Sequence, residues 1–150
     1  MNPFFQMLKR DHKKVKGILG RLTETKAGAV TKRDELFHKL RVELVPHMKA
    51  EESTFYPPLL AKKESREDAM EGVEEHHVSD MVLKELETNP KGEDQWGAKM
   101  AVFKELVEHH IEDEESKVFK SAEKALDQDE MQNIMKQFEQ ERLGRIRGVA

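Results

Sequence analysis

His47-Met-Lys-Ala-Glu-Glu-Ser-Thr-Phe-Tyr56 returns sixty-three residues later as His110-Ile-Glu-Asp-Glu-Glu-Ser-Lys-Val-Phe119. Both copies read H-x-x-x-E-E-S. On a helix, residues four apart stand one turn apart on one face, with Cβ atoms about 5–6 Å from each other. Each copy therefore presents an imidazole and a carboxylate side by side. The residues before the first copy, Leu36, Phe37, Leu40 and Leu44, fall on the same face as His47, Glu51 and Phe55. Those before the second, Trp96, Met100, Phe103, Leu106 and Val107, share the face of His110, Glu114, Val118 and Ala122. Two amphipathic helices thus carry polar pairs where the period calls for apolar side chains.

Working outward, each copy is preceded by a matching helix. Asp11-His-Lys-Lys-Val-Lys-Gly-Ile-Leu-Gly-Arg-Leu22 aligns with Glu75-His-His-Val-Ser-Asp-Met-Val-Leu-Lys-Glu-Leu86, with histidine second in both. The first runs on a face of Phe4, Phe5, Leu8, His12, Val15, Leu19 and Leu22; the second on Ala69, Val73, His76, Leu83 and Leu86. His12 precedes His47 by 35 residues, and His76 precedes His110 by 34. The chain reads as one helical hairpin repeated, with a pseudo-twofold axis through its centre. The boundaries expected are an N-cap at Thr31 for the second helix, with Pro46 kinking it, and an N-cap at Ser65 for the third. Thr88-Asn-Pro-Lys-Gly92 forms a turn, and the fourth helix starts near Asp94. Tyr56-Pro57-Pro58 loosens the second helix.

With short loops and no strand signal, the expected fold is all-α: an antiparallel up-and-down four-helix bundle with a short additional C-terminal helix. One domain spans residues 1–150, with the core bundle at about 4–122 and the extra helix, carrying Met131, Ile134, Met135 and Phe138, at about 128–142. The last residues, Glu141 to Ala150, are basic and expected to fray.

Composition narrows the chemistry. The 150 residues are 37% charged and 6% aromatic, which favours exposed helices over strands. The net charge of −4 argues against a nucleic-acid partner. No apolar run approaches the roughly 20 residues that span a bilayer. Cysteine is absent, so neither disulfides nor thiolate metal sites exist. The N-terminus lacks the apolar centre of a signal peptide, and the expected location is cytoplasmic. There is no phosphate-cradling glycine loop and no nucleophile motif.

Six residues, His12, His47, Glu51, His76, His110 and Glu114, occupy inward positions. Buried carboxylates are costly unless paired or metal-bound. Four imidazoles with two carboxylates suit two cations, each capped by imidazoles and bridged by carboxylates, with a preference for iron or manganese. The ordinary reading, hydrogen-bonded histidines on plain helices, suits any one of them but not six in repeat register. Of seven histidines, His38 lies half a turn from His47 and faces outward. Leu83, seven residues on, and the repeat favour His76 over His77; His109 shares its face with Glu105 and Asp113 and is outward. Glu52 and Glu115 are expected in solvent, with a hydrogen bond to a ligand histidine as the lesser alternative. Tyr56 is expected to pack in the core, with a phenol near the metal as the alternative.

The order His12, His47-Met-Lys-Ala-Glu51, His76, His110-Ile-Glu-Asp-Glu114 resembles the hemerythrin-like, or HHE cation-binding, domains. The likeness runs from about residue 4 to about residue 122. It implies two iron ions bridged by Glu51, Glu114 and a solvent-derived oxo or hydroxo group, with manganese or zinc as substitutes. It also implies dioxygen, another small diatomic, or peroxide as the ligand, and a protein partner if the domain senses. Animal oxygen carriers of this kind place a further histidine on the third helix four residues before the first; here that position is Gly72. Water or Glu75 is expected to fill the vacancy. Binding or sensing of dioxygen, iron or redox state is the first functional expectation. Decomposing peroxide or reducing nitric oxide is the second, so whether the domain is an enzyme stays open. A metal-free interaction bundle is the third.

Overall fold

In the computed structural model, which describes residues 2–149, Asn2 caps the first helix. Its side-chain oxygen accepts the Phe4 amide at 2.8 Å, and Pro3 occupies the first turn, where no amide is needed. Helix α1 runs Pro3–Glu24. Helix α2 runs Val30–Ala50 with Pro46 inside it, and its N-cap is Ala29, two residues before the expected Thr31, without a side-chain cap bond. Its axis continues through a wide π-turn, Glu51–Phe55, into α3, Tyr56–Leu60. Helix α4 spans Arg66–Thr88. Ser65 stands at its N-cap, as expected, but donates its hydroxyl to the Leu59 carbonyl at 2.7 Å and makes no side-chain cap bond. Helix α5, Asp94–Asp113, continues through a second π-turn, Glu114–Val118, into α6, Phe119–Ala125.

The two π-turns begin at the glutamates of the two H-x-x-x-E copies, and the serine of each copy suggests why. Ser53 donates to the Lys49 carbonyl at 3.0 Å, and Ser116 to the Glu112 carbonyl at 2.7 Å. Both are bonds back to residue i−4, which compete with the helical ladder and let a turn widen. Thr54 adds a third such bond, to Ala50 at 2.7 Å.

The four long rods form an all-helical, strand-free bundle among the described residues, as the periodicity predicts. Two apolar layers fill it. One holds Val15, Leu19, Leu40, Leu83, Met100 and Phe103; the other holds Phe4, Phe5, Leu8, Phe55, Phe119 and Phe138. Between them lies a band where each rod contributes polar side chains: His12 from α1, His47 and Glu51 from α2, His76 from α4, and His110 and Glu114 from α5.

The C-terminal helix is a departure. Helix α7 runs Gln128–Val149, well past the expected end near residue 142 and into the stretch expected to fray, of which Ala150 lies outside the described residues. Buried Met131, Ile134 and Phe138 anchor it against the bundle, and a Glu141–Arg145 pair at 3.2 Å supports the next turn. Once nucleated by packing, a helix extends at little further cost. No helix among the described residues is long and apolar enough to cross a membrane.

Candidate metal centre

All six candidate residues converge. Glu51 and Glu114 are wholly buried, and His12, His47, His76 and His110 nearly so. They divide into two overlapping sets of potential cation donors: His12, His47, Glu51 and Glu114, and Glu51, His76, His110 and Glu114. Both glutamates belong to both sets. Glu51 Oε1 stands 3.3 Å from His47 Nε2 and 3.3 Å from His76 Nε2. Glu114 turns Oε1 to His12 Nε2 at 3.2 Å and Oε2 to His110 Nε2 at 3.6 Å. His77 and His109 point outward, as the repeat implies, and His38 is exposed. His109 instead pairs with Asp113 on the surface at 3.1 Å.

The other nitrogen of every imidazole is held by a carboxylate, in a pattern that respects the pseudo-twofold. The residue before each lone histidine serves the paired histidine of its own half: Asp11 faces His47 Nδ1 at 2.9 Å, and Glu75 faces His110 Nδ1 at 2.8 Å. The second glutamate of each E-E-S reaches across to the lone histidine of the opposite half. Glu52 faces His76 Nδ1 at 2.8 Å, and Glu115 faces His12 Nδ1 at 2.7 Å. Each Nδ1–H donates to a carboxylate, which fixes the tautomer and leaves the Nε2 lone pair aimed at the centre. The full motif is therefore [DE]-H … H-x-x-x-E-E-S, twice.

Two expectations are corrected here. Glu52 and Glu115 are half-buried hydrogen-bond partners of ligand-type histidines, not solvated side chains. Glu75 does not fill the place opened by Gly72, because its carboxylate is committed to His110. That place is taken by the Tyr56 ring, whose Cζ and Oη lie 3.2 Å from where a Gly72 Cβ would stand.

The charges agree with this geometry. Burial pulls the His47 imidazole down, but the charge of Glu51 and the bond to Asp11 overcome it and raise the pKa to about 10. His76 is likewise raised to about 9, burial being outweighed by Glu51 and Glu52. His12 is raised by Glu114 and Glu115 against the same burial penalty. Burial pushes Glu51 up, yet the His47 charge and the close approach of the His47 and His76 imidazoles hold it well below the usual carboxylate range. Burial, then the Glu114 and Glu51 charges, drive the Tyr56 phenol well above its ordinary value. Glu52 and Glu75 stay low because hydrogen bonds to His76 and His110 outweigh burial. Glu115 is lowered first by its bond to His12. Six carboxylates thus surround the centre; Lys49 stands 3.3 Å from Glu52 and Arg142 3.7 Å from Asp11, and at the buried middle the imidazoles, or a bound cation, supply the positive charge.

The donor set fits a cation better than it fits protons. Both Glu51 oxygens, Glu114 Oε1 and His47 Nε2 are buried without a hydrogen-bond partner. Such atoms are rare in native cores and cost about 1–3 kcal/mol each. His76 Nε2 and His110 Nε2 face each other at 3.0 Å, two lone pairs opposed unless a proton or cation stands between. A small enclosed cavity of about 10 Å³ adjoins the centre, bordered by His12, His47, Glu51 and His110 and by the aliphatic side chains of Val15, Leu44, Val107 and Ile111. That is room for about one water-sized molecule.

Comparison with known proteins agrees with the geometry. The family profile described as the Hemerythrin HHE cation binding domain matches residues 4–122. Among solved structures, a crystal structure of a hemerythrin HHE cation binding domain-containing protein from Mycobacterium kansasii superposes with a TM-score of 0.78. It is 23% identical in sequence, and the match covers 96% of this chain and 89% of that one. At that identity the likeness speaks for the fold. No curated protein matches the sequence.

Proposed function

The chain belongs to the hemerythrin HHE cation binding domain family, and from that premise we propose that it is a non-haem di-iron protein that binds or senses dioxygen or a related redox ligand. The observation that carries this reading is the sharing of Glu51 and Glu114 between two donor sets. Each set offers two imidazoles and carboxylate oxygen, a combination that suits iron, with manganese or zinc as weaker alternatives. Bound iron would supply reversible electron transfer to and from a small oxygen-containing ligand.

The chain's own residues do the rest. His12, His47, His76 and His110 present Nε2 to the centre because Glu115, Asp11, Glu52 and Glu75 hold the opposite nitrogens. That pre-set orientation spares the ordering cost of four side chains when metal arrives. The two apolar layers exclude bulk water. The small cavity beside the centre, walled on one side by Val15, Leu44, Val107 and Ile111, leaves room for one small ligand. Phe138 covers His47 edge-on at 5.5 Å and closes the centre toward α7.

The test is to load the protein with iron(II) anaerobically, measure iron per chain, and admit dioxygen. Two irons per chain and a visible absorption change that reverses on degassing are expected; a chain that retains no iron overturns the reading. Gly72 in place of a further imidazole favours a second reading, in which the same centre decomposes peroxide or reduces nitric oxide. Gas evolution from added peroxide, abolished in His110→Ala, would select that reading. Either role operates inside a cell with dioxygen, a diatomic or peroxide as the small-molecule partner, and a sensing role requires a protein partner.

A further inference from the structure

Tyr56 breaks the twofold symmetry of the centre. Its pseudo-symmetry mate, sixty-three residues on, is Phe119, which stacks on Phe5 with centroids 4.1 Å apart in the apolar layer and carries no hydroxyl. The mate of Gly72, sixty-four residues back in the lone-histidine register, is Leu8, a filled core position. One half thus pairs a full side chain with a phenyl ring; the other removes the side chain and adds a hydroxyl. A Cβ at Gly72 would stand 3.2 Å from both Cζ and Oη of Tyr56, so the glycine is what lets the phenol lie where it does.

There, wholly buried, Tyr56 Oη sits 2.6 Å from Glu114 Oε2, 3.3 Å from His76 Nε2 and 3.4 Å from His110 Nε2. Donors about 2.0–2.2 Å from one cation and at right angles to one another stand about 3 Å apart. The His76–His110 separation of 3.0 Å meets that condition, and so, within a few tenths of an ångström, do the three distances to the phenol. An ordinary buried tyrosine needs one hydrogen-bond partner; this one is ringed by three donors of a single set.

We propose that Tyr56 is a seventh protein donor: its phenolic oxygen ligates the cation held by His76 and His110, in the room left by Gly72. This rests on the di-iron reading above and refines it. Coordination breaks the O–H bond heterolytically, the proton leaving to solvent with those displaced from the imidazoles, and no oxidant or reductant is consumed. The cation held by His12 and His47 has no such donor, because Phe119 stands in its place. The cavity borders His12, His47 and His110 but neither His76 nor Tyr56.

Iron(III)-loaded protein tests this by resonance Raman and visible absorption, with iron per chain measured alongside. Expected are tyrosinate ring vibrations and a phenolate-to-iron charge-transfer band, both lost in Tyr56→Phe at unchanged iron content. Iron present without tyrosinate vibrations, or vibrations surviving in Tyr56→Phe, overturns the inference and leaves the di-iron reading intact; absence of iron from the wild type overturns both. Should Tyr56→Phe hold no iron, Gly72→Ala serves. Its methyl group would stand 3.2 Å from the phenol, so the ring must give by a few tenths of an ångström and the band should shift, and an unchanged band overturns the inference.

Discussion

Replacing Glu52 or Glu115 by glutamine should weaken metal binding about as much as damage to a ligand's support does elsewhere, although neither residue is a metal donor in this account. Glu52 lies 2.8 Å from His76 Nδ1 and Glu115 lies 2.7 Å from His12 Nδ1, each reaching from the opposite half of the bundle. Glutamine keeps the size of the side chain and its acceptor oxygen but removes the charge that raises the basicity of the imidazole. Loss of such a carboxylate costs about 10–100-fold in metal affinity, or about 1.4–2.8 kcal/mol. The crossing makes the effect addressable: Glu52→Gln should weaken the His76–His110 cation, and Glu115→Gln the His12–His47 cation. Competition with a chromophoric chelator, using zinc to avoid oxidation, resolves the two binding steps. Glu112→Gln, an exposed neighbour on the same rod, is the control. If Glu52→Gln and Glu115→Gln both stay within twofold of Glu112→Gln, these carboxylates are surface decoration and the orienting network is wrong.

The remaining predictions concern stability and access. Metal at a hundredfold over its dissociation constant stabilises the fold by about 2.7 kcal/mol, which for a chain of this size is roughly 5–11 °C in Tm. Glu51→Ala should lose that increment, and equal melting of mutant and metal-loaded wild type by calorimetry would contradict the ligand assignment. In chelator-treated protein, the raised His47 and His76, at about 10 and about 9, contribute stability that is complete below their unfolded value near 6.5 and lost as pH rises through 9 and 10. Glu51, depressed, contributes above its ordinary carboxylate value and loses that contribution toward acid. The metal-free Tm should therefore fall from pH 6.5 to pH 10, while metal affinity rises across the same window because the ligands must be deprotonated; a metal-free Tm that rises would refute this. Val107→Ile adds one methylene to the wall of the small cavity and should weaken azide binding to the oxidised protein about tenfold or more, with metal content unchanged. Equal azide affinity would remove the cavity from the account.

How much of this was legible in the chain depends on what the repeat could carry. His47, Glu51, His110 and Glu114 stand at inward positions of two strongly periodic helices, and His12 and His76 stand at matched distances before them, so six donors and a bundle follow from spacing. The supporting carboxylates were harder to read. Glu52 and Glu115 each follow an inward residue, and on an ideal helix the next position turns 100° away toward solvent. The π-turns that begin at Glu51 and Glu114 alter that register, and their cause, serine bonding back to a carbonyl, looks in sequence like an ordinary exposed serine. Yet Asp11 and Glu75, and Glu52 and Glu115, occupy equivalent positions in the two halves. A charge repeated beside a repeated histidine was the available signal. The filling of the Gly72 space by Tyr56 is a contact between helices that neither period nor propensity encodes. Helix α7 outran its expected end because its first turns pack on the bundle, and Gly144 and Gly148 meet open space with no steric reason to stop.

Anomalous-scattering maps at the iron edge, from crystals of protein loaded with iron, test the central claim most directly. Two peaks are predicted between the apolar layers, one against His12 and His47 and one against His76 and His110, with Glu51 and Glu114 touching both. A single peak, or none within the ring of four imidazoles, would contradict it.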